Sequence, residues 1–121
     1  DGSIKREVHQ RIENYLQQHL GEKIEVGALA DALNVSASTV LRLFKHLFGT
    51  TPHAYVRGRK IAHGCELLQT TEVSFTQIAL MLGFASQAHF CDVFRKITGE
   101  TPTRYRQRMA LADVGGIKAL H

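Results

Sequence analysis

Tryptophan is absent, and the 121-residue chain holds only two prolines and two cysteines. Cys65 and Cys91 form neither a C-x-x-C pair nor a metal-ligand spacing, and both fall in segments that read as helical. A structural disulfide is therefore not expected. No apolar run approaches the ~18 residues of a membrane span, and no signal-peptide pattern opens the chain. These absences fit a reducing cytoplasm, so the expected localisation is cytoplasmic, with no membrane partner. The alternation of a β-strand is missing throughout, which excludes a sheet-based fold. The seven histidines (His9, His19, His46, His53, His63, His89 and His121) include no i, i+4 pair, so no metal is expected. With no Ser/His/Asp or Cys/His set and no glycine-rich phosphate loop, the expectation is no enzyme and no cofactor. An initiating methionine is also missing. The opening Asp1-Gly2-Ser3 reads as the start of a piece excised from something longer.

What is present is a repeat. Laying Ser36 on Ser86 brings Phe44 onto Phe94, Gly49 onto Gly99, Thr51-Pro52 onto Thr101-Pro102 and Tyr55 onto Tyr105. Upstream of the serines the offset changes from 50 to 49, so the second copy has one extra residue in its central turn. A repeat fixes architecture before any local reading does. Each copy, at about 50 residues, would bury a marginal core on its own.

Helical periods run through both copies. Ile4, Val8, Ile12, Tyr15, Leu16 and Leu20 form one stripe, with Gly21 as the expected stop. A short helix over Val26 to Leu33 turns Leu29, Ala30 and Leu33 inward. Ser36 then caps a helix with Val40, Leu43, Phe44 and Leu47 inside, closed by Gly49. Thr51-Pro52 opens a long helix to about Leu68. Gly58 and Gly64 within it suggest close packing against a neighbour. Ser74-x-x-Gln77 is a capping box opening the second copy. Ile78, Ala79 and Leu82 repeat the inward face. Ser86 caps a helix with Phe90, Phe94 and Ile97 inside, and Thr101-Pro102 opens a last helix to about Leu111, with a patternless tail beyond. The expected architecture is all-α, about seven helices: a first helix-turn-helix subdomain over 1–50, a linker helix over 51–70, and a second helix-turn-helix subdomain over 71–121.

Net charge is +4, which is modest, but its distribution is uneven. No Asp or Glu occurs from Asn34 to Cys65, a span holding Arg42, Lys45, Arg57, Arg59 and Lys60. In the second copy Arg95, Lys96, Arg104, Arg106 and Arg108 meet only Glu100. Segregated charge implies a positive face and a polyanionic partner.

The second helix of a helix-turn-helix suits a B-DNA major groove, with its N-terminal residues at base edges. The first copy offers Ser36, Ala37, Ser38, Thr39, Arg42, Lys45 and His46. The second offers Ser86, Gln87, Ala88, His89, Cys91, Asp92, Arg95 and Lys96. Arg suits guanine and Gln suits adenine. Lys45, Arg95 and Lys96, further along, suit phosphates, which set position and not sequence. Double-stranded DNA is the partner these residues imply. The alternative is a helical protein-interaction module, docking on RNA polymerase or a partner regulator.

The pattern S-x-x-x-V-x-R-x-F-K followed by G-T-T-P-x-x-Y-x-x-x-R, and the stretch from Ile78 to Arg106, resemble the AraC/XylS family of bacterial transcription regulators. Ile78, Ala79, Gly83, Phe84, Ser86, Gln87, Phe90, Phe94, Gly99, Pro102, Tyr105 and Arg106 stand at signature positions. The resemblance implies two recognition helices in successive major grooves and sequence-specific DNA binding, more often in activation. It also implies a separate sensing or dimerising domain in the parent protein, and contact with RNA polymerase. Two positions depart from the family pattern. Asp92 stands where the family commonly has Arg, so the second helix reads a different base or binds more weakly than the first. Cys65 replaces a small alanine and reads as core packing, while Cys91 reads as exposed.

Overall fold

The computed structural model describes the backbone of residues 2–119 and the side chains of residues 2–112. Among the described residues there are seven helices and no strand: α1 Gly2–His19, α2 Val26–Leu33, α3 Ala37–Phe48, α4 Pro52–Thr70, α5 Phe75–Met81, α6 Gln87–Thr98 and α7 Pro102–Ala119. The chain divides into two compact units, residues 1–60 and 61–121, with the boundary inside α4.

In the first unit Ile12 and Leu16 of α1 meet Leu29, Ala30 and Leu33 of α2, Val40 and Phe44 of α3, and Val56 of α4. The second unit repeats the set. Ile61 and Leu68 of α4, Ile78 and Ala79 of α5, Leu82, and Phe90, Val93 and Phe94 of α6 form its core. Tyr55 stands edge-on to Phe44, and Tyr105 edge-on to Phe94, with ring centroids 5.7 and 5.5 Å apart. The sequence repeat is therefore a repeat of packing.

The turns repeat too. Asn34 adopts left-handed φ 58°, its N–H reaching Asp31, while the next N–H, of Val35, reaches back to Ala30. Gly83, at φ 77°, bonds to Leu80, and Phe84 reaches back to Ala79. Both turns satisfy the last carbonyls of the preceding helix by the same paired 5→2 and 6→1 bonds. The extra residue, Ala85, follows this motif and precedes the capping Ser86. Asparagine serves in the first copy because it tolerates the left-handed region better than most side chains.

Several sequence expectations need correction. Ile4, in the first turn of α1, is 60% exposed, and Ile97, in the last turn of α6, is 48% exposed. Both have the right angular position, but each lies at a helix end where the core has stopped. Val93 fills the inward position instead. α1 ends at His19, just before Gly21 as expected, but Gly21 does not adopt the left-handed φ of a glycine cap. That end is secured by Lys60, whose Nζ donates to the carbonyls of Leu20 and Glu22 at 2.6 and 2.7 Å. The last helix does not end near Leu111. It runs to Ala119, through Gly115 and Gly116, because glycine weakens a helix by about 1 kcal/mol and does not forbid it. Residues 120 and 121 of the expected tail lie outside the described residues. Of the two α4 glycines, Gly64 is closely packed: a Cβ there would lie 3.2 Å from Phe90 and 3.3 Å from Leu82. Gly58 faces open space.

Candidate nucleic-acid interface

α3 and α6 are built alike. Each holds twelve residues, opens on a capping serine and closes at a left-handed glycine. The Ser36 hydroxyl accepts from the Thr39 N–H at 3.2 Å, and that of Ser86 from the His89 N–H at 3.1 Å. Serine competes well for this position because its short side chain reaches an N–H that the helix itself cannot satisfy. The core residues lie on one side, so the first turns face solvent.

On α3, Ser36, Ala37, Ser38, Arg42, Lys45 and His46 are exposed, and Thr39 is half-buried. Hydroxyls form a short chain, with Ser36 Oγ 3.1 Å from Ser38 Oγ and 2.9 Å from Thr39 Oγ1. Arg42 donates through Nη2 to Thr39 Oγ1 at 3.3 Å. The guanidinium is thus drawn back toward the start of the helix. Leu41, 48% exposed, stands on the same outer side.

On α6, Ser86, Gln87, Ala88, His89, Asp92, Arg95 and Lys96 are exposed. Cys91 is corrected: it is half-buried and packs against the second core. Burial pushes its thiol pKa up, which disfavours a nucleophilic thiolate. Cys65 is also half-buried against that core, as expected from packing, and burial raises it against the opposing hydrogen bond with Tyr105. The His89 ring stands edge-on to Phe84 at 5.3 Å. Gln87 Oε1 accepts from the Thr76 hydroxyl on α5, a residue that nothing in the sequence pattern singled out. Asp92 pairs with Lys96 one turn on, at 3.0 Å.

The positive face is narrower than the sequence implies, because many of its cations hold the fold. Arg59 pairs with Glu13 of α1. Lys60 is 7% exposed, on the carbonyls at the end of α1. Arg57 bonds to His53. In the second unit Arg106 donates to the carbonyls of Leu68 and Thr71 at the end of α4. Arg108 pairs with Glu100 at 2.7 Å. Among the described residues, Arg42, Lys45 and Arg95 of the two capped helices are in no ion pair.

Among the described residues no group of three or more His, Cys, Asp or Glu could hold a metal ion, and no helix is long and apolar enough to cross a membrane.

A family model of a helix-turn-helix domain matches residues 29–108. The chain is 37% identical over 95 residues to the probable transcriptional regulator LumQ of Photobacterium leiognathi, which covers 78% of this chain and 38% of LumQ. It therefore spans less than two fifths of that relative's length. A transcriptional regulator from Chromobacterium violaceum, described as of the AraC-type DNA-binding domain-containing proteins, matches with TM-score 0.79 at 30% identity, over 84% of this chain and 90% of that one. The DNA-binding domain of AdpA, solved in complex with a target DNA, matches with TM-score 0.75 at 28% identity, over 80% and 87% of the two chains.

Proposed function

The chain belongs to the AraC-type family of helix-turn-helix transcription regulators, as a DNA-binding domain, and from that premise we propose how its two units read a duplex. α3 and α6 each enter a major groove with the first turn leading. The observation that carries this reading is the pair of serine-capped, solvent-facing first turns, with Arg42 held toward the start of α3 by Thr39. Arg42 is the strongest base contact, with guanine as its natural partner. Ser38, Thr39, Gln87 and His89 supply further edge contacts. Lys45, His46 and Arg95 meet phosphates, and the free N–H groups at Ala37 and Ala88 add to them. Asp92 holds Lys96 away from a phosphate, so the second unit contributes less non-specific attraction than the first.

In the intact regulator this domain works in the cytoplasm beside a separate sensing or dimerising domain, and activates by contact with RNA polymerase. The alternative, a protein-docking module, draws support from Leu80 and Met81 of α5, which are 76% and 48% exposed. Gel-shift titration on random duplexes at two salt concentrations separates the two. DNA binding by the proposed face gives an affinity that falls steeply with salt. Salt-insensitive or absent DNA affinity, together with binding to polymerase, would favour the docking module.

A further inference from the structure

Thr76 lies in the first turn of α5, and Gln87 is the first residue of α6. Both are exposed, and the Thr76 hydroxyl donates to Gln87 Oε1. The first unit has no such bond, because the matching repeat positions hold Gly27 and Ala37. There the equivalent task falls inside α3, where Thr39 holds Arg42.

A glutamine amide offers one acceptor oxygen and two N–H donors. Thr76 takes one of the two lone pairs on Oε1 and ties that oxygen back toward α5, so the group left to face outward is the Nε2 donor. A bidentate glutamine–adenine pair needs both ends, Nε2 donating to N7 while Oε1 accepts from N6. Guanine presents N7 and O6, acceptors both. Cytosine presents its N4 amine, where a donor would meet a donor. We infer that Thr76 is a positioning residue that sets the base preference of α6, presenting Gln87 as a donor that favours guanine over adenine. This rests on the reading of Gln87 as a base contact.

The test selects a preferred duplex for the wild-type domain from a randomised library. It then finds the base pair at which Gln87→Ala abolishes preference. Four duplexes differing at that pair are titrated with wild type, Thr76→Val and Thr76→Ser. Wild type is expected to favour guanine over adenine at least about fivefold, the lower range for one good edge contact. Thr76→Val keeps the size and removes the hydroxyl, so it releases Oε1 and shifts the ranking toward adenine by a similar factor. Thr76→Ser keeps the guanine preference. Affinity for random DNA and its salt slope stay unchanged in both variants, which a general loss of structure would not allow. A wild-type preference for adenine overturns the inference whether or not the valine variant folds. So does an unchanged base ranking in Thr76→Val, and in either case Gln87 remains a base contact. If Gln87→Ala alters no base preference, the reading beneath the inference fails, and the inference with it.

Discussion

Tyr55 donates its phenolic hydroxyl to Glu13 Oε1 at 2.5 Å, closing a contact between residues 42 apart in sequence. Arg59 holds the other carboxylate oxygen. Burial raises the Glu13 pKa, but these two partners, with the nearby charge of His9, outweigh it, and the net shift is downward from 4.5. A carboxylate whose folded pKa is depressed stabilises the fold fully above its unfolded pKa and loses that contribution as pH falls through the folded one. The wild-type thermal midpoint should therefore drop as pH is lowered from neutral through 4.5 and below. Glu13→Gln should lower the midpoint at pH 7 and flatten this acid dependence. Circular-dichroism melts across the series measure both, and an equally steep acid loss in the variant would count against the assignment.

Arg42→Ala should cost about 1–3 kcal/mol of specific binding and relax preference at one base pair. Lys45→Ala should weaken all duplexes alike and reduce the salt slope by about 1. Competition titrations with substituted duplexes read the first, and a salt series reads the second. Thr39→Val should resemble a mild form of Arg42→Ala, because it frees the guanidinium without removing it.

The Asp92–Lys96 pair is exposed on both sides, so it contributes little stability, about 0–1 kcal/mol at most. Its removal should act on binding instead. Asp92→Asn is expected to strengthen affinity for every duplex and steepen the salt slope by about 1, as Lys96 becomes available to a phosphate. Lys96→Ala should then change the slope clearly in the Asp92→Asn background and hardly at all in the wild type. Equal effects in the two backgrounds would show that the pair does not restrain the lysine.

The two glycines of α4 should respond in opposite directions. Gly58→Ala meets open space and should stabilise by about 0.5–1 kcal/mol, the helix preference of alanine. Gly64→Ala presses a methyl against Phe90 and Leu82, which are 0% and 1% exposed and have no room to yield. A net loss of about 1 kcal/mol or more is expected there. Urea denaturation of the two variants provides the comparison.

Much of the architecture was legible because it is local. Capping serines, left-handed stops at Gly49 and Gly99, and Thr-Pro starts each act within a few residues, and the duplication displayed them twice. α3 opens after Ser36 and closes at Gly49, as expected, for this reason. What stayed hidden depends on partners far along the chain. Arg59, Lys60 and Arg106 read as free surface cations, yet their partners lie 46, 40 and 38 residues away. Period alone also placed Ile4 and Ile97 inward, since it gives a residue's angle on the helix but not where the core ends. The Thr76–Gln87 bond joins two helices across a turn whose geometry no spacing rule supplies. The Asp92–Lys96 pair is different: its i, i+4 spacing was available in the sequence, and only the expectation of two independent roles concealed it.

Ala85 has a consequence for how such duplicated modules can diverge. Had the added residue entered α6 itself, every later side chain would have rotated by about 100°, the angle of one residue in a 3.6-residue turn. Because it falls between the left-handed turn and the serine cap, Phe90, Val93 and Phe94 still point inward. An insertion at the corresponding place after Val35 should be absorbed in the same way, leaving the outward sector of α3 intact. Turn length and helix register can thus change independently, so the two copies are free to differ in one without scrambling the other.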